Sequence, residues 1–457
     1  MAKQAPMASK RRAPIWMFGV QVPRDEKEAR KLDEAYIEKG LPPKWRNSEI
    51  TEVGSLSEYE TFKNHGRRSA PHGYKYIKVF FVYAVKHDLR HKARLVAGGH
   101  MTPDQGDSYS SVISLRIMRL ALLVGEINGL KVMAGDIGSA YLEAYTKEKV
   151  CFIAGPAFGE LEGCTLIIVK ALYGLRTSGA RYHERFADTM RDMGFFPCKN
   201  EADLWIRDVG SHYEYVCVYV DDLLAIMDKP AEFFEILRVK YFYKLKGVEE
   251  PNYHLGGNYF RDPDGTLAWG AERYIKKMLE NFLRSEGFEP VKYSAPMEKN
   301  CHPELDVSPL LDLEGIKKYQ SWVGALQWCV TLGRFDIGIA VMTMSSFRVA
   351  PREGHWVIAV RILGYLRFTK NGAIRFRTEI PNYSHLPQQE YDWDFSVYEG
   401  IVEDIPEDAP KPKGKAVRLS TYVDANLMHC KVTGRLVTGI IHMINNTRLV
   451  YQETKCS

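Results

Sequence analysis

The chain has 457 residues, of which 45% are hydrophobic, and a formal net charge of +5; at roughly 150 residues a domain, about three folded domains are expected. No run of about 18 apolar residues is present and the N-terminus lacks the apolar core of a signal peptide, which argues against membrane insertion and secretion. The eight cysteines are scattered without a C-x-x-C pair, which indicates reduced, intracellular thiols instead of a disulfide frame or zinc site. Lysine and arginine cluster locally, so the sequence permits a polyanionic partner.

The N-terminal part of the chain is polar and charge-dense. We predict a lead-in segment over residues 1–70 with one amphipathic helix over 25–39. Two strands are predicted next, over 74–85 and 92–99, the second ending in a glycine turn. Lys92 and Arg94 lie in the second strand, and from the residues alone a solvated strand face accounts for both charges.

A helix and a buried strand precede the first candidate carboxylate. Residues 114–127 predict a helix with Ser114 as its N-cap. The apolar run that ends at residue 135 predicts a buried strand, so Asp136 lies at its C-terminal end, where a side chain emerges into solvent. Gly138 then lets the backbone turn before a short helical segment. An isolated Asp in this position is usually a turn former or a helix cap.

The sequence YEYVCVYVDDLLAIMD contains two apolar, β-rich runs that are joined by Asp221 and Asp222. We predict a hairpin with strands over 216–220 and 223–227 and the two aspartates in its turn. An ordinary turn is one interpretation, because Asp bonds locally to the backbone. A bound cation is the other, because adjacent like charges repel unless they are neutralised. Together with Asp136, these hard oxygen ligands suit magnesium or manganese.

The middle of the chain combines turns with helices. Residues 170–186 predict a strand, a turn at Gly174 and a helix, and residues 253–259 predict a Gly-Gly turn between strands. Helices are predicted over 271–285, 319–343 and 355–369. Arg334, Arg361 and Arg367 either face duplex phosphate or lie on a solvated helix face.

The C-terminal part changes character. Residues 380–415 are rich in proline and acidic residues, which predicts a linker or insertion because such a segment buries little apolar surface. Alternating strands follow, and Asp424 lies at the end of the first of them.

Seven short motifs follow one another in a characteristic order: KARLVAGG, GDIGSAYL, KALYGL, VYVDD, YHLGG, RFDI and HW. In this order and at this spacing they resemble the reverse transcriptase region of copia-type (pseudoviral) LTR retrotransposon polyproteins. The resemblance implies an α+β right-hand polymerase fold with fingers, palm and thumb, followed by an incomplete ribonuclease H-like α/β domain. We accordingly expect fingers and palm over 71–290, thumb or connection helices over 291–379, the linker over 380–415 and a truncated ribonuclease H-like segment over 416–457.

The same resemblance implies the metal chemistry. Asp136, Asp221 and Asp222 match the catalytic aspartates, and the Ile137 carbonyl would complete a shell for two Mg²⁺ (or Mn²⁺) ions. Such ions stabilise the attacking and the leaving oxygen of a nucleotidyl transfer. Asp424 matches the first metal-binding aspartate of ribonuclease H, but one carboxylate does not hold two metals, so no ribonuclease H activity is expected from this polypeptide.

Nucleotide contacts are implied around the first aspartate. Tyr141 matches the aromatic residue that lies under the sugar and leaves no volume for a ribose 2′-hydroxyl; from the residues alone, a core tyrosine is the alternative. Ser139 and Ala140 match positions whose N–H groups meet the triphosphate. The remaining nucleotide-binding positions that the resemblance implies are Lys92, Arg94 and Tyr173, and charge suits the first two for phosphate.

One motif departs from the family pattern. Where the family usually has G-L-K-Q-x-P-x-x-W, this chain has GLRTSGARY, so Arg176 keeps the charge, Gly179 replaces a proline and Tyr182 replaces a tryptophan. The difference indicates a divergent branch and affects template-side details, not the metal ligands.

The function that the resemblance implies is RNA-directed DNA synthesis with an RNA template, a DNA primer and dNTPs, in cytoplasmic particles or the nucleus. A catalytically inactive remnant or a domesticated nucleic-acid-binding protein is the alternative. A metal-dependent phosphohydrolase is a third hypothesis, but it leaves Tyr141 and the KARLVAGG motif unexplained.

Overall fold

The computed structural model describes residues 14–17, 19–86, 89–102, 110–387, 406–407, 409–426 and 430–455. The chain divides into two compact units. The first unit comprises residues 1–111, 137–194 and 238–244, and the second comprises residues 112–136, 195–237 and 245–457.

The described helices are, in chain order, α1 (Glu26–Ile37), α2 (Lys44–Glu58), α3 (Leu115–Asn128), α4 (Ser178–Asp192), α5 (Pro230–Val239), α6 (Glu272–Glu286), α7 (Leu313–Thr331), α8 (Gly338–Ser345) and α9 (Glu353–Phe368). The described strands are β1 (Ile15–Met17), β2 (Val20–Val22), β3 (Phe62–Asn64), β4 (Lys75–Tyr76), β5 (Val79–Val85), β6 (His91–Ala97), β7 (Lys131–Ile137), β8 (Val150–Ile153), β9 (Thr165–Ile168), β10 (Phe196–Cys198), β11 (Glu201–Asp208), β12 (Tyr213–Tyr219), β13 (Asp222–Met227), β14 (Leu245–Glu249), β15 (Tyr253–His254), β16 (Gly257–Arg261), β17 (Leu267–Gly270), β18 (Ala373–Arg375), β19 (Leu419–Asn426), β20 (Val437–Ile444) and β21 (Thr447–Lys455).

The first unit combines small sheets with the two N-terminal helices. Its sheets have the strand orders β1-β2, β5-β6 and β3-β9-β8-β4, and α2 packs on β6. The core includes Trp45, Leu56, Phe81, Leu95 and Phe152, which are all buried. Burial of these large side chains holds the helices against the sheets.

Helix α1 agrees with the predicted helix, and Asp25 caps it by accepting a hydrogen bond from the Glu28 N–H at 2.8 Å. Helix α2 was not predicted from the sequence. Its buried Glu49 accepts hydrogen bonds from Arg30 and Tyr83, so a buried carboxylate interrupts the apolar periodicity by which an amphipathic helix is recognised. The strand predicted over 74–85 is divided into β4 and β5.

The second unit contains a sheet with the strand order β10-β11-β12-β13-β7-β14. Helix α3 packs against β11, β12 and β13, and its predicted N-cap is confirmed because Ser114 accepts a hydrogen bond from the Ile117 N–H. Leu223, Leu224 and Ala225 of β13 are fully buried. The centre of the sheet is therefore a packed layer, in which the C-terminal end of β7 lies beside the N-terminal end of the antiparallel strand β13.

A second sheet of this unit, β15-β16-β17-β18, is accompanied by helices α6 to α9. The helix predicted over 319–343 is wrong as a single element, because it is divided into α7 and α8. Gly333 adopts a left-handed conformation (φ +100°) directly after α7, and the chain needs a glycine there because a Cβ disfavours this region. Arg334 follows, buried and paired with Asp336 at 2.6 Å, so it does not lie on a solvated helix face.

The C-terminal strands form an antiparallel sheet, β19-β20-β21. Most of the predicted linker over 380–415 lies outside the described residues. Asp424 is exposed on β19, two residues before the strand ends, and its Cα partner is Gly439. The cysteines within the described residues are all free, and no described helix is both long and apolar enough to span a bilayer.

Gly174 offers a test of the packing of the first unit. Its φ is +89°, and a Cβ there would lie 2.3 Å from the Ala97 carbonyl oxygen. We expect Gly174→Ala to destabilise the protein by roughly 1–3 kcal/mol more than Gly129→Ala, because overpacking adds to the backbone strain. Gly129 is the matched control, since its φ is +76° with nothing within 4 Å of a Cβ. Equal shifts of the urea midpoint for the two variants would contradict the close approach.

Candidate active site

The hairpin formed by β12 and β13 carries two of the predicted aspartates. Tyr219 pairs with Asp222, so the two central turn residues are Val220 and Asp221. The prediction that both aspartates occupy the turn is therefore wrong by one residue: Asp222 is the first residue of β13. The sequence pattern placed the strand end after Val220 because valine favours strands.

Val220 has a left-handed backbone conformation, with φ +59°. Tight two-residue hairpins require a positive φ at the first turn position, which glycine or asparagine usually occupies. A β-branched residue in this conformation is strained, and such strain is characteristic of functional sites. The turn thus holds Asp221 beside Asp222 at a cost in local backbone energy.

The third predicted aspartate lies directly opposite on the neighbouring strand. Asp136 is the Cα partner of Asp222 in the antiparallel pairing of β7 with β13. The pKa of Asp222 is raised to about 6, first by burial and then by the negative charges of Asp221 and Asp136. The predicted carboxylates are therefore brought together in the second unit, close enough for their charges to interact.

Packing behind the site fixes the position of Asp136. Gly135, which precedes it, pairs with Leu223, and a Cβ at Gly135 would lie 2.6 Å from the Phe234 ring of α5. The absence of a side chain at this position lets α5 approach β7 closely. Ile137 is the last residue of β7 and is fully buried.

The donor set fits a divalent cation. Three carboxylates at one end of the paired strands β7 and β13 are hard oxygen ligands, and burial together with the negative charges of Asp221 and Asp136 raises the pKa of Asp222. Magnesium and manganese prefer such ligands and keep several coordination positions for water or phosphate. These residues therefore have the chemistry to hold a metal of this class.

The predicted nucleotide-contact residues form a second group, which lies in the first unit. Tyr141 is on the 3₁₀ turn Ala140–Glu143, and its ring centroid is 5.2 Å from that of Tyr173. The Arg94 guanidinium lies 4.8 Å from the Tyr173 ring centroid. Tyr141, Tyr173 and Arg94 are thus brought together by an aromatic and cation–π cluster.

Strand β6 presents the two predicted basic residues on one face. Lys92 and Arg94 alternate with the buried residues Ala93 and Leu95, as the two-residue period of a strand requires. Both cations act on Glu52, although the pKa of that carboxyl is raised overall, chiefly by burial. The solvent-side face of β6 therefore combines two positive charges.

The backbone between β7 and Tyr141 turns at a residue that was not predicted. Ser139, not Gly138, has the left-handed conformation, with φ +54°. Ala140 is buried. Gly174, where a turn was predicted, has φ +89° and lets two backbone segments approach closely: the Ala97 N–H donates to the Tyr173 carbonyl at 2.7 Å.

A further group of side chains with metal-ligand chemistry occurs among the described residues, at the opposite end of the β12–β13 hairpin. Potential ligand atoms of His212, Glu214 and Asp228 lie within 4.8 Å of one another. Arg207 pairs with Glu214 at 2.5 Å, and the Asp228 N–H donates to the same carboxylate. Because the buried Glu214 is already neutralised, this group is a structural ion-pair network.

A sequence profile described as reverse transcriptase (RNA-dependent DNA polymerase) matches residues 62–294, which is just over half of the chain. The chain belongs to the reverse transcriptase family. The aspartate cluster and the tyrosine cluster both lie within the matched range, and the resemblance drawn from the seven motifs is confirmed.

Known relatives of this reverse transcriptase domain are retrotransposon proteins. The chain is 29% identical over 291 residues to the retrovirus-related Pol polyprotein from transposon RE1 of Arabidopsis thaliana. The matched region covers 62% of this chain and 19% of that protein. The chain is 26% identical over 252 residues to the putative transposon Ty5-1 protein of Saccharomyces cerevisiae, covering 53% and 78% respectively. It is 24% identical over 350 residues to the transposon Ty1-DR4 Gag-Pol polyprotein of the same yeast, covering 72% and 20%. The chain thus spans about a fifth of the length of the Pol polyproteins that it matches.

Two residues of the first unit that contact the predicted site residues lie outside the sequence prediction of the site. The ring centroid of Tyr182, which stands where the family usually has tryptophan, is 6.1 Å from that of Tyr141, so it joins the tyrosine cluster. Tyr59 donates a hydrogen bond to the Gly138 carbonyl at 2.5 Å. The motif spacing signals the position of Tyr182, whereas no local pattern signals a contact between residues 79 positions apart.

The predicted phosphate contacts of the second unit are already paired. Arg361 forms an ion pair with Glu298 at 2.9 Å, and Arg367 pairs with Glu289. Asp424 lies on the exposed strand β19, in the same unit as the three aspartates.

Proposed function

We propose that this chain is an RNA-directed DNA polymerase of a copia-type retrotransposon, which transfers deoxynucleotides onto a primer 3′ end. The observation that carries the proposal is the register of β7 with β13, which sets Asp136 opposite Asp222, with Asp221 in the adjoining turn. Membership in the reverse transcriptase family supports the proposal that these three aspartates are catalytic.

In the proposed mechanism, Asp136, Asp221 and Asp222, together with the Ile137 carbonyl, would hold two Mg²⁺ (or Mn²⁺) ions. When bound there, the ions supply charge stabilisation at both the attacking and the departing oxygen. The protein needs no covalent intermediate, because catalysis by this cluster is placement and charge neutralisation. The strained turn at Val220 keeps the two hairpin carboxylates in place before the substrate arrives.

The tyrosine cluster would bind the incoming nucleotide. Tyr141 lies under the deoxyribose and excludes a ribose 2′-hydroxyl, while Tyr173 contacts nucleotide and template. The Ser139 and Ala140 N–H groups donate to the triphosphate. Lys92 and Arg94 of β6 add positive charge for the phosphates, and their placement on one face of the strand supports this role.

The larger organisation that we propose follows from the family. Residues 71–290 form fingers and palm, residues 291–379 form thumb or connection helices, and residues 416–457 form a ribonuclease H-like segment with Asp424 as its first carboxylate. The partners are an RNA template, a DNA primer and dNTPs. The proposed site of action is intracellular, in cytoplasmic particles or in the nucleus.

Templated single-nucleotide incorporation tests the proposal. Purified protein, Mg²⁺ and one dNTP at a time are combined with four primed RNA templates that differ only in the next base. We expect extension only where the dNTP pairs with that base. Extension that ignores the template, or duplex binding without extension, would contradict a polymerase function and favour a binding protein.

A further inference from the structure

The backbone segment that leads from β7 to Tyr141 is hydrogen-bonded at Gly138 to two residues that are distant in sequence. Gly138 is buried; its N–H donates to the Lys244 carbonyl at 2.7 Å, and its carbonyl accepts a hydrogen bond from the Tyr59 hydroxyl at 2.5 Å. Both polar groups of this peptide position are therefore satisfied by residues distant in sequence. The next residue, Ser139, is in the left-handed region, which a non-glycine residue adopts only when its surroundings enforce it.

The two residues that hold Gly138 also contact each other. The Lys244 ammonium lies 4.0 Å from the Tyr59 ring centroid and 3.7 Å from the Glu58 carboxylate. Such cation–π packing restricts the rotation of the tyrosine ring. Tyr59, Gly138 and Lys244, all in the first unit, are thus each in contact with the other two through two hydrogen bonds and one cation–π contact.

The position of Tyr59 is fixed by helix α2. Tyr59 is the C-cap residue of α2, and its N–H donates to the Ser55 carbonyl. Helix α2 is anchored by the fully buried Trp45 and Leu56. Burial, followed by the charge of Glu143, raises the pKa of Tyr59, so its hydroxyl stays protonated and acts as a donor. Tyr59 precedes the range that the family profile matches.

We propose that Tyr59 is a positioning residue for the nucleotide pocket, which holds residues 138–141 in the conformation that presents the Ser139 and Ala140 N–H groups and the Tyr141 ring to an incoming dNTP. The inference rests on the proposed polymerase function. Tyr59 touches the backbone of this segment and acts through it, so its loss affects nucleotide binding more than the chemical step.

The substitution Tyr59→Phe tests this role, because it keeps the ring under Lys244 and removes only the hydroxyl. The buried Gly138 carbonyl then lacks its donor, and the segment loses a restraint on its left-handed residue. In single-turnover incorporation on a primed RNA template, we expect the apparent Kd for dNTP to rise about 3- to 10-fold. The maximal rate should stay within about twofold of wild type, and duplex affinity should not change.

Tyr76→Phe is the matched control. Tyr76 lies in the same unit, and its hydroxyl contacts the Thr165 hydroxyl at 3.2 Å, so the variant loses a hydroxyl contact without touching residues 138–141. Lys244→Met, which keeps the backbone carbonyl but removes the cation, should raise the dNTP Kd in the same direction as Tyr59→Phe. Circular dichroism and the melting temperature show whether each variant is folded.

The outcomes separate this inference from the proposed function. If wild type extends primers and Tyr59→Phe has an unchanged dNTP Kd, the positioning role is wrong while the polymerase function stands. A Tyr59→Phe variant that loses maximal rate and melting temperature together, without a change in dNTP Kd, shows a merely structural residue and also overturns the inference. Absence of extension by wild type overturns both.

Discussion

Replacing Asp136 by asparagine should lower the rate of primer extension by at least about 100-fold. Loss of a residue that only hydrogen-bonds to a metal ligand already costs about 10- to 100-fold in activity, and loss of a ligand itself should cost more. The expected loss is large because Asp136 faces Asp222 across β7 and β13, and asparagine removes one of the charges that would hold a divalent cation. The effect should appear in the maximal rate at saturating dNTP and duplex.

Asp228→Asn is the control for this substitution. Asp228 directly follows β13, at the end opposite the turn, and is exposed; we expect this variant to extend primers like wild type. In metal-free buffer, Asp136→Asn should melt at the wild-type temperature or slightly above it, because repulsion with Asp222 is reduced. An Asp136→Asn protein that extends primers within about threefold of wild type would exclude this aspartate from the metal site.

Replacing Tyr141 by alanine should raise the ratio of ribonucleotide to deoxyribonucleotide incorporation by about 10- to 100-fold. In the native protein, the 2′-hydroxyl of a ribonucleotide would overlap the Tyr141 ring, and such overpacking costs roughly 1–3 kcal/mol. Each 1.36 kcal/mol corresponds to about tenfold in rate. The neighbouring rings of Tyr173 and Tyr182 restrict the movement of the Tyr141 ring. We therefore expect that the Tyr141 ring of the wild-type protein does not move aside for a 2′-hydroxyl.

The ratio is measured with paired dGTP and GTP reactions on one primed template, so that differences in stability between protein variants cancel. Tyr145→Ala serves as the control, because Tyr145 lies four residues further along and is 67% exposed. Equal sugar discrimination in Tyr141→Ala and wild type would contradict the proposed contact between this ring and the deoxyribose.

Local patterns explain why the aspartate cluster was predictable. The buried run before Asp136 and the two apolar runs around Asp221 and Asp222 each specify a strand over a few residues. The order of the seven motifs along the chain, two of which contain these aspartates, indicated the family. The exact turn was missed by one residue, because the strained conformation of Val220 contradicts the usual preference of valine for strands.

Contacts between distant segments were not predictable from local patterns. Helix α2 carries the buried Glu49, whose charge is compensated by Arg30 from α1, and the compensation is visible only once both helices are packed. The bond from Tyr59 to Gly138 likewise joins segments that no periodicity connects. Arg334 was expected either to face duplex phosphate or to lie on a solvated helix face, yet it is buried and bonded to Asp336 and Thr369.

Primer extension on a primed RNA template, with and without Mg²⁺, tests whether the three aspartates form a polymerase site. The wild-type protein is run beside the double variant Asp221→Asn, Asp222→Asn, with duplex binding measured for both. We expect Mg²⁺-dependent extension by wild type and none by the double variant, with duplex affinity retained. Absence of extension by wild-type protein that binds the duplex, or equal extension by both proteins, would contradict the claim that these aspartates form a polymerase site.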